Sequence, residues 1–173
     1  MKTREYQKNN QNQKLIIRPA RKSDGKVFLS LINSLADFEK LHRPTKPACR
    51  RLLRDGFGRK KRFYAFLAFV GKKPVGYAII FETYSSFLAL PTLYLEDIFV
   101  LPEYRSKKIG LKLFQKCVDE AQRRGCGRME WVVLDWNKKA IRFYKKLGAR
   151  HLKEWFTFRL ERKQFKRLFI SEN

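Results

Sequence analysis

Two adjacent carboxylates, Glu96 and Asp97, interrupt an otherwise apolar run in "LYLEDIFV". An ionised carboxylate in a buried strand is costly unless it is paired or protonated, and one whose pKa has been raised is a suitable general base. Adjacent strand residues face opposite ways, so the two cannot act as a dyad on one atom. One can be structural while the other opens onto a cavity, and a pair of strand-end acids meeting surface lysines has the same signature. Directly after them comes "RSKKIG", in which Arg105, Lys107 and Lys108 supply charge, Ser106 a hydroxyl, and Gly110 room for close backbone approach. A donor-rich loop between a strand and a helix N-terminus can hold a pyrophosphate, because unpaired N–H groups and the helix dipole point at the anion. A third group lies in "DWNKKAIRFYKKLGA": Asn137 opens a helix, and Tyr144 follows two turns later on roughly the same side. A phenol in the cationic company of Lys145 and Lys146 can protonate a leaving group; the same tyrosine also suits an aromatic core contact.

The elements that must position these groups are readable from periodicity. "LIIRPA" predicts a short strand, and Ser23 or Asp24 can cap a helix carrying Val27, Phe28, Leu31, Ile32, Leu35 and Phe38 at helical spacing. "PACRRLLRDGFG" predicts a second helix. "FYAFLAFVGKKPVGYAIIFETY" predicts two central strands joined at "GKKP". The acidic strand places Leu93, Leu95, Asp97 and Phe99 on one face and Tyr94, Glu96, Ile98 and Val100 on the other. Pro102 ends it, and Ile109, Leu113, Cys117 and Ala121, with Phe114 and Val118 beside them, mark a helix that stops at Gly125. "RMEWVVLDW" predicts a strand, "NKKAIRFYKKLG" a helix capped by Gly148, "HLKEWFTFRLE" a final strand, and "RKQFKRLFI" a basic helical turn. The fold class is α/β (α+β): a mixed central sheet covered by helices, in one domain over residues 14–170, with a polar, basic tail over residues 1–13.

Forty Lys+Arg against sixteen Asp+Glu leave a net charge of +24 on 173 residues. Such a field favours anionic partners, and the dispersal of the cations suits either nucleic acid or a solvated lysine-rich surface. No apolar run reaches the roughly 18 residues that a membrane helix needs, and the N-terminus lacks a signal-peptide core. Cys49, Cys117 and Cys126 are odd in number and lack metal-type spacing, which points to thiols in a reducing cytoplasm, with neither a disulfide framework nor a metal site.

Taken together, "IRPA", "RDGFG", "YLEDIFVLPEYRSKKIG" and "WNKKAIRFYKKLGA" resemble the GCN5-related N-acetyltransferase (GNAT) superfamily, in particular its diamine (spermidine/spermine) acetyltransferase branch, from Leu15 to about Leu160. The resemblance implies an acetyl-CoA-dependent N-acetyltransferase acting on a primary amine: a polyamine, a thialysine-like amino acid or a lysine side chain. It sets the backbones of Ile98, Phe99 and Val100 beside pantetheine, Arg105 at the head of the cofactor loop, and Ser106, Lys107, Lys108, Ile109, Gly110 and Leu111 around the pyrophosphate. Asn137 and Tyr144 also meet the cofactor. Lys108 stands where the family motif R/Q-x-x-G-x-G/A has its middle glycine. Tyr144 falls on the family's catalytic acid and Glu96 on its base or amine anchor, with Phe38, Glu39, Asp97, Glu154 and Trp155 as further substrate-side residues. The family's acid in the preceding loop falls near Ser85 and its tryptophan near Phe87. A homodimer is also implied. The charge supports a different expectation, a basic nucleic-acid- or ribosome-associated binding protein on the same scaffold with weakened CoA affinity.

Overall fold

The structure, a computed structural model, describes residues 14–165; the expected tail over residues 1–13 lies outside them. The described residues divide into two compact units, with the division between Val132 and Val133.

The first unit is built on five strands: β1 (Leu15–Pro19), β2 (Tyr64–Val70), β3 (Lys73–Ser85), β4 (Leu90–Val100) and β5 (Arg128–Glu130). They lie side by side in sequence order, antiparallel except for the parallel β4–β5 pair, which makes the sheet mixed as expected. Its helices are α1 (Gly25–Phe38), α2 (Lys46–Phe57) and α3 (Ile109–Arg123), with one-turn 3-10 segments at Lys22–Asp24 and Pro102–Tyr104. β2 and β3 are inner strands, joined through Gly71 and Lys72 as the hairpin signal predicts.

Phe28 and Leu31 of α1 are buried with Leu67, Tyr77, Ile79 and Phe99 of the sheet, in one aromatic-rich cluster. Tyr77 meets Phe28 edge-on at 5.8 Å between ring centroids. Each such ring removes enough apolar surface from water to contribute on the order of 2–3 kcal/mol. On α3 the buried set is Ile109, Leu113, Phe114, Cys117 and Ala121, the stripe that the fourfold spacing predicts. Asp24 does not cap α1 with its side chain. Its carboxylate instead accepts from the Arg18 guanidinium at 2.7 and 2.9 Å and from the Arg21 N–H at 2.7 Å, tying β1 to the start of α1.

The second unit contains α4 (Lys138–Lys146) and the one-turn α5 (Arg162–Phe165). α5 is the first part of the basic turn expected in "RKQFKRLFI"; the rest lies outside the described residues. Two expectations fail. The strand predicted over "RMEWVVLDW" is confined to Arg128–Glu130, and "HLKEWFTFRLE" forms no strand. Alternation says which side chains would share a face, but a strand exists only where its backbone finds a ladder partner. Trp155, Phe156 and Phe158 stay exposed instead of lining a sheet face.

Candidate active site

β4 carries most of the chemistry, and its two ends differ. Thr92, Leu93 and Tyr94 pair with β5 on one side and with β3 on the other. β5 stops at Glu130, so from Leu95 to Val100 no strand among the described residues pairs with that edge of β4. A strand edge without a ladder partner is the kind of place where an extended ligand can pair with the backbone, and the residues expected beside pantetheine, Ile98, Phe99 and Val100, lie on this stretch, with the Val100 carbonyl already accepting from Arg105 Nε.

On the β3 side the ladder slips where the acids stand. Ile79 pairs with Asp97 and Ile80 with Leu95, which leaves Glu96 as an extra residue. This is a β-bulge, and bulges re-aim side chains. Glu96 is exposed, whereas Asp97 is only partly accessible and accepts a hydrogen bond from the Tyr77 hydroxyl at 3.2 Å. Burial, then the neighbouring charge of Glu96, pushes Asp97 up to about 6, with Glu39 adding a smaller push and the Tyr77 bond opposing them. The Tyr77 phenol is driven well above its ordinary value by burial and by the same three acids. Glu39, just past the end of α1, is also raised by burial. Glu39, Glu96 and Asp97 thus form one electrostatic neighbourhood around Tyr77, inside a strongly basic chain. Sequence reasoning missed Tyr77; a lone phenol in the apolar run "VGYAII" is the signal that could have found it.

At the end of β4 the basic loop folds around its first residue. The Arg105 guanidinium lies over the Phe38 ring at 4.3 Å and the Phe99 ring at 5.5 Å, and its Nε donates to the Val100 carbonyl at 2.9 Å. It therefore joins the end of α1, the end of β4 and the loop. Lys107 reaches over the Tyr104 ring at 5.2 Å. Ser106 and Lys108 both adopt positive φ, +64° and +59°, so Lys108 occupies a glycine-like backbone conformation without being glycine. Lys112 N bonds to Lys108 O at 3.0 Å, closing the first turn of α3. The N–H groups of Ile109, Gly110 and Leu111 precede that closure and have no intrahelical acceptor, which suits a bound anion. The residues fit a pyrophosphate, with Lys108 holding a positive φ that glycine would adopt at less cost.

In the second unit, Asn137 caps α4 with its side-chain oxygen accepting from Ala140 N at 3.2 Å, which leaves its amide NH2 to act as a donor. Tyr144 is buried, with its ring 5.2 Å from Phe143, and its carbonyl accepts from Leu147 N and Ala149 N. Glu154 lies in an exposed turn beside Trp155, whose side chain is also exposed. Burial pushes the Cys117 thiol up to about 12 and raises Cys126, which disfavours the nucleophilic thiolate at these two positions.

Three comparisons match this architecture. The model of the acetyltransferase (GNAT) family matches residues 30–149. The mouse (Mus musculus) thialysine N-epsilon-acetyltransferase is 40% identical over 156 residues, covering 84% of this chain and 91% of that protein. The human (Homo sapiens) spermidine/spermine N(1)-acetyltransferase-like protein 1 is 34% identical over 86% of this chain and 23% of that protein. Among solved structures, an aminoglycoside N-acetyltransferase in complex with CoA superposes with a TM-score of 0.73 at 18% identity, over 87% of this chain and 97% of that one. The chain belongs to the acetyltransferase (GNAT) family, in its diamine acetyltransferase-like branch. It is an N-acetyltransferase that moves an acetyl group from acetyl-CoA to an amine.

Proposed function

We propose that the substrate is a small cationic primary amine, a thialysine-like amino acid or a polyamine, and that Glu96 and Tyr144 carry the proton transfers. The observation that supports this best is the electrostatic grouping of Glu39, Glu96 and Asp97 around Tyr77. A chain of net charge +24 repels a free cation at long range, so a local negative potential is what such a substrate requires. The names of the mouse and human relatives point to the same substrate class.

Near neutral pH an alkyl ammonium leaves on the order of one molecule in a thousand with a free lone pair, so the reaction needs a base. Glu96 accepts the first ammonium proton, directly or through water. The amine nitrogen then attacks the thioester carbonyl, whose developing oxyanion is held by a β4 N–H near Ile98 or Phe99. As the C–S bond breaks, Tyr144 gives its proton to the sulfur and the nitrogen releases its second proton to solvent. The raised thiols of Cys117 and Cys126 accord with direct transfer, without an acyl-enzyme on either. Asn137 and the Ser106–Leu111 segment hold the cosubstrate, while Arg105 braces the loop that presents it. Phe38, Glu154 and Trp155 complete the substrate side by resemblance.

A second reading has its own observation. Asp97, raised to about 6, is largely ionised at neutral pH yet still a serviceable base. The two readings separate in the pH dependence of kcat/KM: loss of an acidic limb near pH 6 in Asp97→Asn, but not in Glu96→Gln, makes Asp97 the base.

CoA release is to be measured with thialysine, spermidine, putrescine, lysine and a lysine peptide at fixed salt. Turnover with one of them, lowered about 100-fold or more by Tyr144→Phe with little change in CoA affinity, supports the assignment. Equal turnover in that variant removes Tyr144 from the mechanism. Absence of both turnover and CoA binding would revive the binding-protein alternative, which the family membership disfavours. We also propose a homodimer, tested by sedimentation, and a cytoplasmic location, tested by imaging a tagged chain. No described helix is long and apolar enough to cross a membrane.

A further inference from the structure

Between residues 50 and 62 the chain carries Arg50, Arg51, Arg54, Arg59, Lys60, Lys61 and Arg62 against one acid, Asp55. All seven cations are exposed. A run of this kind is often only a solvated face, but here the backbone beneath it is built. Phe57 and Phe63, on either side of the run 58–62, both pack on the buried ring of Phe28, at 5.4 and 6.1 Å. The loop between them is closed twice, by Gly58 N to Arg54 O and by Arg62 N to Asp55 O, each 2.8 Å. A Cβ at Gly58 would collide with the Arg54 carbonyl, and one at Gly56 would lie 2.6 Å from the Phe63 ring. Both glycines are thus required by close approach. Lys61 is steered over the exposed ring of Tyr64 at 5.6 Å. Arg54, Asp55, Gly58, Arg59, Lys60 and Arg62 surround an open cavity of about 360 Å³.

We infer that this loop and the adjoining face of α2 form a binding site for the phosphodiester backbone of nucleic acid, separate from the residues assigned to acetyl transfer. The single acid does not neutralise the site, because Asp55 is engaged by Arg54 at 2.8 and 3.1 Å. Of the six cations outside that pair, four are arginines, Arg50, Arg51, Arg59 and Arg62, whose planar forks match phosphate oxygens bidentately. Fixing the loop in advance removes much of the ordering cost of binding. An anionic membrane is disfavoured because Leu52, Leu53, Phe57 and Phe63 are all at least partly buried, and the exposed ring beside them, Tyr64, carries Lys61 and Arg124 over it at 5.6 and 4.1 Å.

The test uses the full chain and fluorescence anisotropy with labelled single-stranded RNA, single-stranded DNA and duplex DNA of about 20 nucleotides or base pairs, at salt from roughly 50 to 200 mM. The combined variant Arg59→Gln, Lys60→Gln, Lys61→Gln, Arg62→Gln is compared with one of equal charge loss elsewhere: Lys14→Gln, Lys22→Gln, Lys26→Gln, Lys116→Gln. The loop variant is expected to bind at least about tenfold more weakly at 150 mM salt, with a log–log salt slope shallower by about 3, while the control moves little. Thermal midpoint and CoA release establish that both variants are folded. The RNA and DNA arms show which nucleic acid the site prefers. Equal weakening in both variants would overturn the inference in favour of a dispersed field. So would absence of wild-type binding at 150 mM, or binding to phosphatidylserine vesicles without binding to any oligonucleotide.

Discussion

The two cationic loops of the sheet unit, residues 105–108 and 58–62, use the same residue types in opposite ways. In the first, the leading arginine turns inward over Phe38 and Phe99 and bonds the end of β4. Ser106 and Lys108 there bend the backbone through positive φ into the start of a 15-residue helix, so the donors on offer are largely main-chain N–H groups. In the second, the main chain at Gly58 and Arg62 is already spent on α2 carbonyls, and the side chains point outward. One loop is shaped to recognise by backbone and the other by side chain. Net charge alone does not distinguish them.

The largest expected break in that comparison is Arg105→Ala. It removes two cation–π contacts and a charged bond to Val100, about 2–4 kcal/mol of stability, and loosens CoA binding; Arg59→Ala should stay within about 0.5 kcal/mol. Denaturant unfolding and CoA calorimetry on both variants check this, and similar small losses would mean that Arg105 is not a brace.

The acids beside the loops should respond to pH with opposite signs. Asp97 is raised to about 6, so its folded form resists ionisation: its own contribution to stability is fully present below pH 4 and is lost as pH rises through 6, by at most about 3 kcal/mol. Asp97→Asn should flatten that fall. Asp55 is held below its ordinary value by Arg54, so its contribution is present above pH 4 and is lost as pH drops. Thermal midpoints of wild type and both Asn variants between pH 3 and 7 would show whether the signs differ.

Gly58→Ala forces the second loop away from the Arg54 carbonyl and should cost about 1–3 kcal/mol by urea unfolding, with CoA release unchanged. Lys108→Gly in the first loop should have the smallest effect, a gain of up to about 1 kcal/mol from relief of positive φ, with CoA affinity kept within a few-fold. A tenfold loss of CoA affinity would instead show that the Lys108 charge, rather than the loop's shape, holds the pyrophosphate.

Much of the scaffold was legible because periodicity reports burial directly. The α3 stripe and the β2–β3 hairpin follow from spacing and turn residues alone. What failed depended on partners. The aromatic alternation after His151 resembles a strand but lacks a ladder, and β5 ends after three residues. In the candidate site, Glu96 and Asp97 stood out as acids in an apolar run, yet strict alternation could not foresee the bulge that treats them differently. Nor could spacing reveal that a phenol 20 residues earlier donates to Asp97.

The sequence by itself determined the element types up to β5, the strong positive field, the acidic strand followed by a basic helix-opening loop, and, through four ordered motifs, membership of an acetyl-transferring family. These are properties of residue order and composition, which local sterics and solvation read without reference to distant segments. Only the tertiary structure decided which arginine faces inward, which acid is partly buried, which edge of β4 has no strand partner among the described residues, and which cationic run rests on an aromatic-anchored turn. Each of those depends on register, burial and contacts between residues far apart in the chain, and these come into being only when the sheet and its helices pack.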